Sequence, residues 1–280
     1  MEYKTIVVHL DAHPRRAARL EIAMRLAART ASHLVGLFAI NAWPMPRYVE
    51  ANWSGALTEA TEQQYALLRT QTQQEFEQAA ARYPDVRGEW REDGSGALGA
   101  VSLSARYADL AIIGQHDPNA EFDSRVGAQF AQDLVLLVSR PLLMVPYAGR
   151  FDTLGERVLL AWDGSPQAMR AATDALPLLA RSKEVSVVVF DIEKHRHAHG
   201  EVPGADLSLF LARHGVNASV SQQRSIDGDV GAAILSRTAD WGADLIVMGA
   251  YGHSRAKEHL LGGATRTLFD SMTVPVLMSH

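Results

Sequence analysis

The stretch Ala243-Asp-Leu-Ile-Val-Met-Gly-Ala-Tyr-Gly252, followed nine residues later by Gly262-Gly-Ala-Thr265, decides the fold. An apolar run of Leu, Ile, Val and Met with little alternation suits a strand covered on both faces. A glycine pair at its end, then glycines opening a helix, suits a backbone that must approach an anion closely. Glycine removes the Cβ that would stand in the way. A helix beginning near Gly263 points unpaired N–H groups and the positive end of its dipole at that place.

The run has a twin. Ala108-Asp-Leu-Ala-Ile-Ile-Gly114 precedes it in the chain, just as Thr5-Ile-Val-Val-His-Leu-Asp11 is echoed by Arg157-Val-Leu-Leu-Ala-Trp-Asp163. Arg140-Pro-Leu-Leu-Met-Val145 is likewise echoed by Val274-Pro-Val-Leu-Met278. The order is the same in both halves, so the chain reads as two copies of one fold, 1–148 and 155–280. At 280 residues each copy is long enough to bury its own core.

In the second copy the strand candidates are Arg157–Trp162, Glu184–Asp191, Ala218–Ser221, Asp244–Met248 and Val274–Met278. The intervening helices are expected over Pro166–Ala180, Ala205–His214, Val230–Trp241 and Ala264–Ser271. Ser165 before Pro166 supplies a cap and a proline at the first helical position. The first copy has the same order, with a longer second helix near Leu57–Tyr83. Alternating strands and helices imply right-handed crossovers and a doubly wound, five-stranded parallel sheet in each copy. The short, proline-led last strands are edge candidates, suited to pairing the two copies within one chain; further homodimerisation is left open.

In such sheets ligands bind beyond the C-terminal ends of the strands, where strand order reverses. Asp163 and the Gly249–Gly252 turn both fall there. The pattern of strand, Gly-x-x-Gly, nine residues, glycine, a hydroxyl position, a short helix and Val-Pro-Val resembles the ATP-binding signature of the universal stress protein family. The resemblance covers both halves and implies a tandem member with Rossmann-like domains, a stress-response or regulatory protein binding ATP, ADP or AMP, with Mg²⁺ as an optional companion. It implies that Asp163 holds the ribose or adenine side, while Met248 and Gly249 back the adenosine. Gly252, Gly262, Gly263, Ala264 and Thr265 would surround the phosphates. Ala161 and Trp162 would present backbone near the base, with Val189 or Phe190 beside it. The family's usual Ser or Thr is replaced by Gly263.

The second-copy loop carries Arg255, Lys257 and Arg266 against one acid, Glu258. In the first copy Asp117 stands opposite Gly252, Ala128 takes the third-glycine position, and Asp117, Glu121 and Asp123 outweigh Arg125. Carboxylates at a phosphate position repel it, so the first copy is expected not to bind ATP in the family manner.

Two weaker features remain. His195, His197 and His199 alternate and are candidate zinc ligands, although a polar loop explains them as well. Asn41–Ala56 holds Trp43, Tyr48 and Trp53 and reads as an aromatic loop. A slow ATPase is the enzyme alternative, but no Gly-Lys-Ser/Thr loop is present and no catalytic residue is assigned. A pure interaction module is the third reading.

Composition narrows the rest. The net charge of −5 gives no general attraction to nucleic acid or anionic membrane. There is no cysteine, hence no disulfide or thiolate metal site, which fits a cytoplasmic chain. The N-terminus lacks a signal-peptide pattern, and the longest apolar stretch, Leu134–Tyr147, is broken by Ser139, Arg140 and Pro141, too short for a membrane span.

Overall fold

The computed structural model describes residues 2–41, 55–120, 125–191, 203–251 and 263–280. The first half runs β1 (Thr5–Leu10), α1 (Arg16–Thr30), β2 (His33–Phe38), α2 (Gly55–Arg82), β3 (Arg87–Glu92), α3 (Ala97–Arg106), β4 (Leu110–Gly114), α4 (Phe130–Leu137) and β5 (Leu142–Val145). The second runs β6 (Arg157–Trp162), α5 (Pro166–Asp174), α6 (Leu176–Leu179), β7 (Glu184–Phe190), α7 (Ala205–Arg213), β8 (Ala218–Gln223), α8 (Val230–Trp241), β9 (Leu245–Gly249), α9 (Gly263–Ser271) and β10 (Val276–Ser279). The helix expected over Pro166–Ala180 is two helices. Pro177 has no N–H to give, and its ring crowds the carbonyl four residues back, so the ladder breaks near Ala175.

The ten strands among the described residues form one sheet, in the order β3-β2-β1-β4-β5-β10-β9-β6-β7-β8. Neighbours are parallel within each half. The exception is the seam, where β5 and β10 pair antiparallel, Leu143 opposite Leu277. The expected pairing of last strands is thus made inside the chain, and the two half-sheets become one. Strand order reverses between β1 and β4, and again between β6 and β9.

The uninterrupted apolar runs follow from burial on both faces. Val158 and Leu160 join a core shared with α1, α2, α5, α6 and α7, while Leu159 and Ala161 join the opposite core with α3, α4, α8 and α9. Polar contacts across the halves sit around the seam. Gln115 donates from Nε2 to the Phe269 carbonyl and accepts from the Tyr147 N–H. The Tyr3 hydroxyl donates to the Asp174 carbonyl at 2.7 Å, and Arg29 donates to the Leu154 carbonyl. Among the described residues no helix is long and apolar enough to cross a membrane.

Leu277 is fully buried at the seam. Leu277→Ala should therefore lower unfolding stability by about 2–5 kcal/mol. Because the sheet and both cores run through the seam, urea melts followed by fluorescence and by circular dichroism should keep coincident midpoints; separated transitions for the two halves would contradict one cooperative unit.

Candidate functional site

At the switch point of the second half, beyond the C-terminal ends of β6 and β9, lies a cavity of about 590 Å³. Its apolar lining includes Ala161, Phe190, Val230, Ile234 and Met248. The first turn of α9 also lines the space, through Gly263, Ala264, Thr265 and Arg266. No acidic residue stands in that turn, so the dipole of the nine-residue helix is left uncancelled there. Asp163 lines the same cavity, and its Oδ1 accepts the Ser165 N–H at 2.9 Å in an Asx turn.

Local sequence explains this geometry. A Cβ on Gly249 would stand 2.4 Å from the Ala168 nitrogen and 2.6 Å from the Gln167 carbonyl carbon, so glycine there lets the start of α5 pack directly on β9. A Cβ on Gly231 would meet Thr267 at 2.4 Å, so glycine on α8 lets α9 come close beside it. Tyr251 adopts a left-handed φ of 62° and donates its N–H to Thr265 Oγ1 at 3.3 Å, tying the end of β9 to α9. Burial, with Asp133 adding to it, pushes its phenol up to about 12.

Of the residues expected at this site, Ala161, Trp162, Asp163, Met248, Gly249, Gly263, Ala264 and Thr265 line one cavity. Val189 does not. It is fully buried, and its Cγ2 would lie 3.3 Å from a Cβ on Gly204. Strand alternation sends Val189 away from the cavity and turns Phe190 into it. Gly252 and Gly262 lie outside the described residues, as do Arg255, Lys257, Glu258, the aromatic residues Trp43, Tyr48 and Trp53, and His195, His197 and His199. Among the described residues no group of three or more His, Asp or Glu is placed to hold a metal.

Sequence reading missed one wall of the cavity, Asp191 and Asp227–Asp229. Asp191 accepts the Ser225 N–H at 2.7 Å and the Ser225 hydroxyl at 2.6 Å. Asp229 caps α8 through the Ala232 N–H at 2.9 Å. Asp227 and Gly228 both take positive φ, 54° and 79°. The Asp-Gly-Asp run after the third strand is the signal that marks this turn, because Asp and Gly tolerate the left-handed region.

The first half keeps the same switch point without the same space. Beyond β1 and β4 only about 30 Å³ remains. Asp11 repeats the Asx turn, accepting the His13 N–H at 3.0 Å. Its carboxylate is also bound to Arg19 Nη2 at 2.8 Å, with side-chain exposures of 3% for Arg19 and 8% for Asp11. Burial is the largest influence and pushes the Asp11 carboxyl up, but the Arg19 charge, His9 and the hydrogen bonds from Arg19 and the His13 N–H together hold the group below the usual carboxylate range. Asp117, opposite Gly252 by sequence, faces His13 Nε2 at 3.5 Å.

His9 is the second difference. It holds the place of Ala161 on its strand, is 1% exposed, and meets the Ala39 carbonyl through Nε2 at 2.8 Å. Burial pulls its imidazole down from 6.5 to about 4. The unfolded chain takes up this proton near 6.5 and the folded chain only near 4, so between those values the unfolded state binds more protons. Stability should fall by about 3 kcal/mol as pH drops from 6.5 to 4. His9→Gln keeps an Nε2–H donor and does not titrate; urea titrations at both pH values should show a shallower loss. An unchanged slope would place the acid sensitivity elsewhere.

Comparison with known proteins places these features in context. Residues 155–280 match the profile described as the Universal stress protein family. A curated relative, universal stress protein Slr1230 of Synechocystis, is 28% identical over 178 residues, 60% of this chain. The chain spans little more than half of that relative's length, 57%. Among solved structures, a universal stress protein from Archaeoglobus fulgidus superposes with a TM-score of 0.71 at 15% identity, covering 98% of this chain and 95% of that one. A functionally unknown protein from Pseudomonas aeruginosa PAO1 gives a TM-score of 0.61 at 15% identity, covering 99% and 92%.

Proposed function

We propose that the second-half cavity, which lies in the region 155–280 that matches the Universal stress protein family, binds an adenine nucleotide and that its occupancy, not turnover, is the output. The cavity at the β6–β9 switch point carries this reading, because apolar side chains and a helix N-terminus free of acids in its first turn line the same space. In this arrangement the base lies among Phe190, Ile234 and Met248. Asp163 accepts hydrogen bonds from ribose hydroxyls, and each such charge-assisted bond contributes about 1.5–3 kcal/mol.

The phosphates sit at the first turn of α9, where N–H groups and the helix dipole favour negative charge. Arg266 lines the same cavity. Thr265 Oγ1 accepts the Tyr251 N–H and still carries its own proton, which a phosphate oxygen can take. ATP, ADP and AMP share these features, and Mg²⁺ would travel with the phosphates. We place nucleotide binding in one half only, with a stress-linked or regulatory role in the cytoplasm.

Equilibrium dialysis with labelled ATP should give one site per chain, with turnover no faster than background. Ala161→His imports the first half's residue into the cavity and should weaken binding about 10- to 100-fold, matching the 1–3 kcal/mol cost of overfilling a packed space. Gly263→Ser restores a hydroxyl where a Cβ meets nothing within 4 Å. One added hydrogen bond should tighten binding by up to about tenfold. Two equivalent sites, or none in the parent protein, would overturn the proposal; sustained turnover would favour the slow ATPase.

A further inference from the structure

The first-half switch point is filled by side chains, and their identity is informative. Each half can be laid on the other by its strand register. Gly114 ends β4 opposite Val145, as Gly249 ends β9 opposite Ser279. Counting back from Pro141 and Pro275 sets Phe130 of α4 against Ala264 of α9. His9 and Ala161 are each the fifth residue of their strands, β1 and β6. Ala161 and Ala264 both line the second-half cavity. Two alanines bordering that cavity are therefore an imidazole and a phenyl ring in the first half.

The two rings meet. Their centroids are 5.1 Å apart with planes tilted by 42°. His9 and Phe130 are buried, at 1% and 7% exposure. A carbonyl only accepts, so His9 Nε2 donates to Ala39 O. Ala39 follows the end of β2 as Phe190 closes β7, beside the second-half cavity. The other ring nitrogen, Nδ1, is buried with no hydrogen-bond partner among the described residues. A side chain chosen only to fill an apolar core needs neither nitrogen. Arg19 completes the arrangement, because it neutralises Asp11, the counterpart of Asp163, and takes the place that Ala171 holds in α5.

We propose that the first half is a self-occupied copy of the second-half cavity: the His9 imidazole, held by the Ala39 carbonyl and the Phe130 ring, is a built-in heteroaromatic occupant of the space that Ala161 and Ala264 border in the second half. The first half is thereby held in its filled form and takes no free ligand. Emptied, its space takes a small planar heteroaromatic carrying an N–H donor. This does not depend on what the second-half cavity binds.

Imidazole itself is the probe. His9→Ala should lower Tm, and added imidazole at pH 8 should raise it again by about 2–4 °C, relative to the unmutated protein, at roughly ten times its Kd. Phe130→Ala opens the same space from the helix side and should respond to imidazole as well. Phe76→Ala, which empties a site in the opposite core, should not respond. If the opened variants do not fold unaided, refolding with and without imidazole is the read, and recovery only with imidazole supports the proposal. No stabilisation and no recovery, or an equal response in Phe76→Ala, would overturn it.

Discussion

The structure depends on the antiparallel pairing of β5 with β10. Each strand is four residues long and buried throughout. A parallel half-sheet ending at either strand would leave a row of unpaired N–H and C=O groups beside an apolar face, the arrangement that invites aggregation. Pairing the two edges satisfies both rows and continues both cores across the middle. Proline precedes each strand, where its missing N–H costs no ladder bond. Parallel order within the halves, with antiparallel order across the seam, also aims the two C-terminal sheet edges in opposite directions. The second-half cavity and its closed counterpart therefore open at opposite ends of one sheet.

Sharing a sheet does not force the halves to share chemistry. The seam constrains only β5, β10 and their neighbours, and residues at the strand ends are free to diverge. Three of the differences concern the size of side chains near the switch points. Ala161, Ala264 and Ala171 of the second half are His9, Phe130 and Arg19 in the first. Ala161 and Ala264 border about 590 Å³, whereas about 30 Å³ remains where Phe130 and Arg19 line the counterpart. Burying an imidazole and an ion pair is not free. His9 stays neutral at ordinary pH because of its burial, and the Asp11–Arg19 pair repays desolvation only through its short contact and further bonds. Arg19 Nε supplies one of these, to the His9 carbonyl at 2.7 Å.

The strands of the second half, the internal repeat and the pairing of the last strands were legible in the sequence, because burial on both faces writes uninterrupted apolar runs into the central strands. So was most of one cavity wall, because glycine next to a strand end has few other uses. The Asp191–Asp229 wall was not. It depends on a turn whose aspartates accept local N–H groups, a pattern that in one dimension looks like any polar loop. Val189 and Phe190 are adjacent, and only the pleat decides which of them enters the cavity. Nor was Gly249 fully legible: its position suits approach of a ligand, whereas the folded chain also needs it bare for α5 to pack on β9.

The two aspartates after the first strands show why a motif residue can mislead. Asp11 and Asp163 both accept the N–H two residues on, and both turns lead into a helix. That local duty is identical in the two halves, so it alone would retain the residue whether or not a ligand is ever present. The discriminating positions are those with no local duty. At Ala161 and Ala264 neither turn nor helix requires alanine, and His9 and Phe130 show that the scaffold accepts large rings there. Small side chains at those two positions leave space that the backbone does not need, and unneeded space at a switch point is what a bound molecule would fill.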